Sequence, residues 1–210
     1  MAQTITGHSA LVHRGRLLEW MTVLWNCAEG IIGVTAGLVA GSIALVGFGI
    51  DSAIEVASGA IILWRLLAED DAARRERAER SALRLVGVSF LALAAYVLFE
   101  AALALWRHES PAASWVGLVL AAISLVVMPW LARAKRRVAA ELNSAAMHAD
   151  SRQTALCAYL SAILLGGLGL NAAFGWWWAD PVAGLVMVPL IVYEGIEAVR
   201  GKTCCDAGCA

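Results

Sequence analysis

Six apolar stretches of about twenty residues limit what this chain can fold into. They fall at about 19–40, 43–65, 85–106, 113–132, 149–172 and 179–199. A bilayer core about 30 Å thick takes roughly 20 mostly apolar residues per helix. The expected fold is therefore an all-α membrane protein with six transmembrane helices. Composition agrees, with 60% hydrophobic and 16% charged residues and a mean hydropathy of +0.72. Ordinary soluble domains lie nearer about 45–50% apolar and about 25% charged. Disorder, nucleic-acid binding and a disulfide-stapled secreted fold are disfavoured. The spans divide the chain into a polar N-terminal segment (1–18), a six-helix domain (19–200) and a Cys-containing tail (201–210), with no room for a separate soluble domain. Residues 1–18 lack the apolar core of a cleaved signal peptide.

Charge placement sets the expected orientation. Of sixteen Lys and Arg, fifteen lie in the N-terminal segment, around the second and fourth loops, or after span 6; Arg107 alone falls on the other side. By the positive-inside bias both termini are cytoplasmic. Fourteen arginines against two lysines, with abundant alanine, hint at a GC-rich bacterial genome, and hence at a multi-pass protein of the bacterial inner (plasma) membrane. The basic loops, including Arg133, Lys135, Arg136 and Arg137, are read as topology determinants that touch anionic lipid headgroups. The segment Glu76–Arg84 reads as a solvated helical extension of span 3.

Some shorter signals are structural. Asp180-Pro181 reads as a helix cap followed by proline at the first helical position of span 6, and Trp176, Trp177 and Trp178 as an interfacial anchor. Gly33, Gly37 and Gly41 form a small-residue stripe suited to close helix contact.

Carboxylates within the spans point to chemistry, because an ionisable side chain at mid-membrane costs at least about 2.5–3.5 kcal/mol on insertion scales. Asp51 and Glu55 in span 2 are four residues apart, on one helix face and one turn from each other. Two like charges so placed raise each other's pKa unless a cation sits between them. The pair therefore suits a cation site, or alternatively two protonated acids hydrogen-bonded to neighbouring helices. No intramembrane Lys or Arg is expected nearby to neutralise them. In span 5, Gln153 and Cys157 are also four apart, about a turn deeper than Asp150. Taken alone, Cys157 reads as a small buried hydrophobe and Gln153 as an interhelical hydrogen-bonding residue. Span 1 adds Asn26 and Glu29, the latter a reserve ligand, a proton carrier or a partner for Ser and Thr hydroxyls. Three tail thiols, Cys204, Cys205 and Cys209, could gather a thiophilic cation, or be lipidated or incidental. All four histidines lie outside or at the rim of the spans, which disfavours an intramembrane hydrolase and leaves the chain read as no enzyme.

Together these residues resemble the transmembrane domain of the cation diffusion facilitator family, six-helix transporters of divalent metals. The likeness rests on Gly41-Ser42 followed by Asp51 and Glu55, on Ala149-Asp150 followed by Gln153 and Cys157, and on Trp178-Ala179-Asp180-Pro181. It covers nearly the whole chain. The resemblance implies a tetrahedral metal site from Asp51, Glu55, Gln153 and Cys157; Glu29, Asn26, Asp150 and the tail cysteines Cys204, Cys205 and Cys209 are read from the residues themselves as accessory groups. It implies proton-coupled export of zinc or a similar ion (cadmium, cobalt, iron or manganese) by alternating access, with the metal as substrate and no cofactor.

Three departures from the family pattern matter. Gln153 and Cys157 replace a His and an Asp, so a thiolate shifts the expected preference toward thiophilic metals and the usual proton carrier is lost. The family's cytoplasmic metal-sensing domain is not expected, so a homodimer would form through membrane helices. The family's histidine-rich loop is replaced by Arg133–Arg137. A non-transporting sensor or subunit that keeps the fold with an altered site is the alternative.

Overall fold

A computed structural model of the chain describes residues 2–67, 72–108, 111–142 and 144–200. Among these residues the structure is helical with no strand: α1 Ala2–Ala40, α2 Ile43–Leu67, α3 Ala72–Arg107, α4 Trp115–Glu141, α5 Ala145–Phe174 and α6 Ala179–Arg200. Each contains a segment long and apolar enough to cross a bilayer. The six expected spans are all found. The extension of span 3 is also borne out, since α3 is helical from Ala72. The tail cysteines Cys204, Cys205 and Cys209 lie outside the described residues.

The helices pair as α1 with α2, α3 with α6 and α4 with α5, and α2 also meets α3, α5 and α6. Of the most apolar stretch of α2, 61% is buried within the bundle, against 22–39% for the other five spans. So α2, which carries Asp51 and Glu55, is the central helix. Side chains such as Leu24, Leu38, Phe99, Trp106 and Val126 point outward, as expected where the surroundings are lipid rather than water.

Close approach of α1 to α2 is made by Gly33, Gly37 and Gly49. A Cβ on Gly37 would lie 2.8 Å from the Val46 backbone nitrogen, and one on Gly49 would lie 2.6 Å from that of Val34. The third member of the expected stripe behaves differently. Gly41 has φ +66° and nothing near its Cα hydrogen, so it makes the left-handed turn between α1 and α2 rather than a packing contact.

At the end of the bundle where α2 and α6 begin, the loops are tied together. Ala112 N donates to Ala40 O at 2.8 Å, and Asn171 Nδ2 donates to Pro111 O at 3.0 Å. Ser42 caps α2, its Oγ accepting from Leu45 N at 3.1 Å. The Asp180 carboxylate in turn takes hydrogen bonds from Ser42 Oγ at 2.5 Å and Ile43 N at 3.0 Å. This corrects the sequence reading: Asp180 lies inside the first turn of α6, and its carboxylate is spent on the start of α2. Trp176 and Trp178 stack at 5.1 Å, and Trp177 lies 5.0 Å from His108.

A further correction concerns α4. The sequence ended span 4 near residue 132 and placed Lys135 in a basic loop. The helix instead continues to Glu141. Along its last three turns Leu131, Ala132, Lys135, Val138 and Ala139 are buried, while Arg133, Arg136 and Arg137 are exposed. Helical periodicity turns the three arginines outward and leaves the lysine on the packed face.

Candidate metal centre

The centre is built from four helices around Glu29 of α1, which is 1% exposed. A carboxylate so deep needs donors on its oxygens, and three helices supply them. Ser52 of α2 donates to Oε2 at 3.1 Å, Ser124 of α4 donates to Oε1, and the Cys157 thiol of α5 approaches Oε2 at 3.9 Å. Of the three roles open to Glu29 in the sequence, that of hydroxyl partner is therefore seen directly. Ser124 was missed, because a lone serine in an apolar helix carries no spacing signal.

Asp51 and Glu55 lie on the same side of α2, 4% and 1% exposed. Asp51 interacts electrostatically with Glu55 and Glu29, and Cys157 interacts with Glu29, Glu55 and Asp51. Three carboxyl groups and one thiol thus share a buried neighbourhood. Neither Glu55 oxygen has a partner at full hydrogen-bond geometry among the described residues, and its carboxylate interacts more loosely with the Thr154 hydroxyl and the Cys157 thiol. Gln153 is half-buried, and its Nε2 likewise has no partner. Asn26 is buried, donates from Nδ2 to Thr22 O at 3.0 Å and leaves Oδ1 unpaired. Among the described residues no three His, Cys, Asp or Glu side chains converge tightly enough to hold a metal ion as they stand. The groups are neighbours rather than a finished coordination shell.

Asp150 belongs to a second cluster. Its Oδ2 is 2.5 Å from Lys135 Nζ, and Ser58 Oγ of α2 reaches its Oδ1 at 3.4 Å. Lys135 also pairs with Glu19 Oε2 of α1 at 3.0 Å and donates to Thr154 Oγ1 at 3.3 Å. All three charged side chains of this cluster are buried. The expectation that no cation lies near the carboxylates is overturned: Lys135 is inside a membrane-spanning helix and within electrostatic reach of Glu55. Asp150 and Cys157 are seven residues apart on α5, about 10 Å at 1.5 Å per residue. The ion cluster therefore lies roughly two turns from the thiol, toward the end where the chain begins.

Chemically, the centre offers hard carboxylate oxygens, one soft sulfur and two amide side chains, a donor set suited to a divalent transition metal. No curated protein matches the chain. Residues 20–202 match the family described as the cation efflux transmembrane domain. With that match covering most of its length, and with six spanning helices around a buried acidic centre, this chain belongs to the cation efflux family, whose members carry metal cations across membranes.

Proposed function

We propose that the protein exchanges a divalent transition-metal cation, zinc or a softer ion, for protons by alternating access. The observation that carries this reading is the buried grouping of Asp51, Glu55, Glu29 and Cys157. Asp51 and Glu55 supply charge, Cys157 a soft donor, and Gln153 completes the shell or holds a water. Glu29 serves as accessory ligand or proton carrier. Carboxylates and thiols bind metals deprotonated, so an arriving ion displaces protons and a departing one takes them up. That linkage gives antiport if the site changes sides only when it holds the metal or the protons. The positive-inside bias supports cytoplasmic termini, the family match supports efflux from the cytosol, and the arginine- and alanine-rich composition supports a bacterial inner membrane. If the protein dimerises, membrane helices would form the interface.

The test is flux into proteoliposomes with zinc, cadmium, cobalt, manganese and iron under a pH gradient. Saturable flux that disappears in Asp51→Ala and changes preference in Cys157→Ala supports the reading. Absence of flux for every metal, with a gradient of either sign, defeats it. One observation favours the second reading, a non-transporting sensor or subunit: Lys135 provides a permanent counter-charge beside the acids, so they do not require a metal to be tolerated.

A further inference from the structure

Lys135 is more than the partner of one acid. Its side chain is wholly buried, Asp150 and Glu19 flank it at 2.5 and 3.0 Å, and Glu55 lies within its field. A structural ion pair needs one carboxylate per ammonium, yet three carboxylates share this one. Four helices meet in the same layer: Glu19 from α1, Ser58 from α2, Lys135 from α4, and Asp150 with Thr154 from α5. The layer is continuous with the metal centre through Glu55, which belongs to both.

We propose that Lys135 is a tethered counter-cation of the transport path: its ammonium occupies the carboxylate field of Glu19, Asp150 and Glu55 while no metal is bound, and an arriving divalent ion competes with it for that field. The inference rests on the metal-transport reading and adds to it a residue that sets affinity. Conduction of an ion requires binding strong enough to admit it and weak enough to let it go. A resident positive charge beside a ligand weakens metal binding without removing any ligand. It also reduces the negative charge that the centre carries without a metal in a low-dielectric interior, where such charge is costly.

A purely structural staple and a competing cation make opposite predictions. Removing a staple loosens the bundle and weakens or leaves unchanged the metal site; removing a competitor tightens metal binding. The experiment is zinc titration of the full chain in detergent by calorimetry, comparing wild type, K135M and K135R. The expected result is at least tenfold tighter zinc binding by K135M, with K135R restoring an affinity near wild type. Unchanged or weaker binding by folded K135M overturns the proposal. Should K135M fail to fold, amine acetylation of the wild type decides. The chain has two lysines, Lys135 and Lys202, so mass spectrometry reads Lys135 separately. Gain of Lys135 labelling on zinc saturation supports competition, and equal labelling with and without zinc overturns it. A wild type that transports none of the five metals in the proteoliposome assay would instead sink the transport reading itself, an outcome distinct from wild-type zinc binding that K135M leaves unimproved.

Discussion

The Asp180 carboxylate closes the first turn of a helix to which it does not belong, accepting Ser42 Oγ at 2.5 Å and Ile43 N at 3.0 Å. An anion at a helix N-terminus meets unpaired N–H groups and the positive end of the helix dipole. Here that anion comes from α6 and the helix is α2, which carries Asp51 and Glu55. Asp180 thereby fixes the depth of the central helix relative to α6. Ser42→Ala should cost about 1 kcal/mol of stability, the usual value of a lost cap. Asp180→Ala should cost about 2 kcal/mol, since a hydrogen bond to a charged group is worth more. The double variant should fall well short of the sum, because both changes remove the same contact. Thermal unfolding of the four proteins in detergent measures this, and strict additivity would show that the two residues act separately.

Glu29 links all four helices of the centre, and its charge should matter more than its hydrogen bonds. Glu29→Gln keeps the shape and can still accept from Ser52 or Ser124, but it removes one negative charge from the neighbourhood of Asp51 and Cys157. Zinc affinity should drop about tenfold, equivalent to about 1.4 kcal/mol. Ser124→Ala should change it by no more than about threefold, the scale of one neutral hydrogen bond. The reverse order in a calorimetric titration would mean that Glu29 is a packing residue.

Cys157 is the one soft donor of the proposed centre. Replacing it with serine keeps the size and exchanges sulfur for oxygen, so the preference for cadmium over manganese should shrink by roughly tenfold or more. Competition flux with the two metals gives the ratio directly. An unaltered ratio would remove Cys157 from the coordination shell.

The six helices could be read from the sequence because membrane length is a strong constraint and each span satisfies it independently. The pairing of Asp51 with Glu55 was legible for a similar reason, as four residues on a helix fix a shared face. What could not be read was which face of α4 turns inward. Lys135 sits in a run of arginines that looks like an ordinary cytoplasmic loop, and only the helix's continuation to Glu141 gives it depth. A signal was present, since Leu131, Lys135, Val138 and Ala139 keep the helical period of the apolar face. It lost to the stronger habit of reading basic clusters as loops. Ser124 and Glu19 were hidden differently, because their importance comes from residues more than ninety positions away in the chain.

Proton competition supplies a prediction with a definite sign. As the proposed ligands, Asp51, Glu55 and Cys157 would bind a metal only after losing their protons. Lowering the pH adds protons to those groups, so zinc affinity should fall monotonically with decreasing pH, and zinc binding should release protons into a weakly buffered solution. Calorimetry in two buffers of different ionisation enthalpy counts the protons released. Zero release would exclude these groups as deprotonating ligands.

The contact between α1 and α2 should be intolerant of any side chain at Gly49. A Cβ there would meet the Val34 backbone nitrogen at 2.6 Å and the Gly33 carbonyl carbon at 3.0 Å, and backbone cannot swing aside as a side chain can. The two helices would have to separate, carrying Glu29 on one away from Ser52 on the other. Gly49→Ala should therefore destabilise the protein by about 1–3 kcal/mol, the range of an overpacked contact, and should weaken zinc binding with it. Gly166, in the middle of α5, has nothing within 4 Å of the same position. There the substitution only replaces a poor helix former with the best one, so Gly166→Ala should be neutral or stabilising by up to about 1 kcal/mol. Thermal unfolding and zinc titration of the two variants side by side separate packing from helix propensity, and equal behaviour would mean that α1 and α2 do not depend on this approach to hold the centre together.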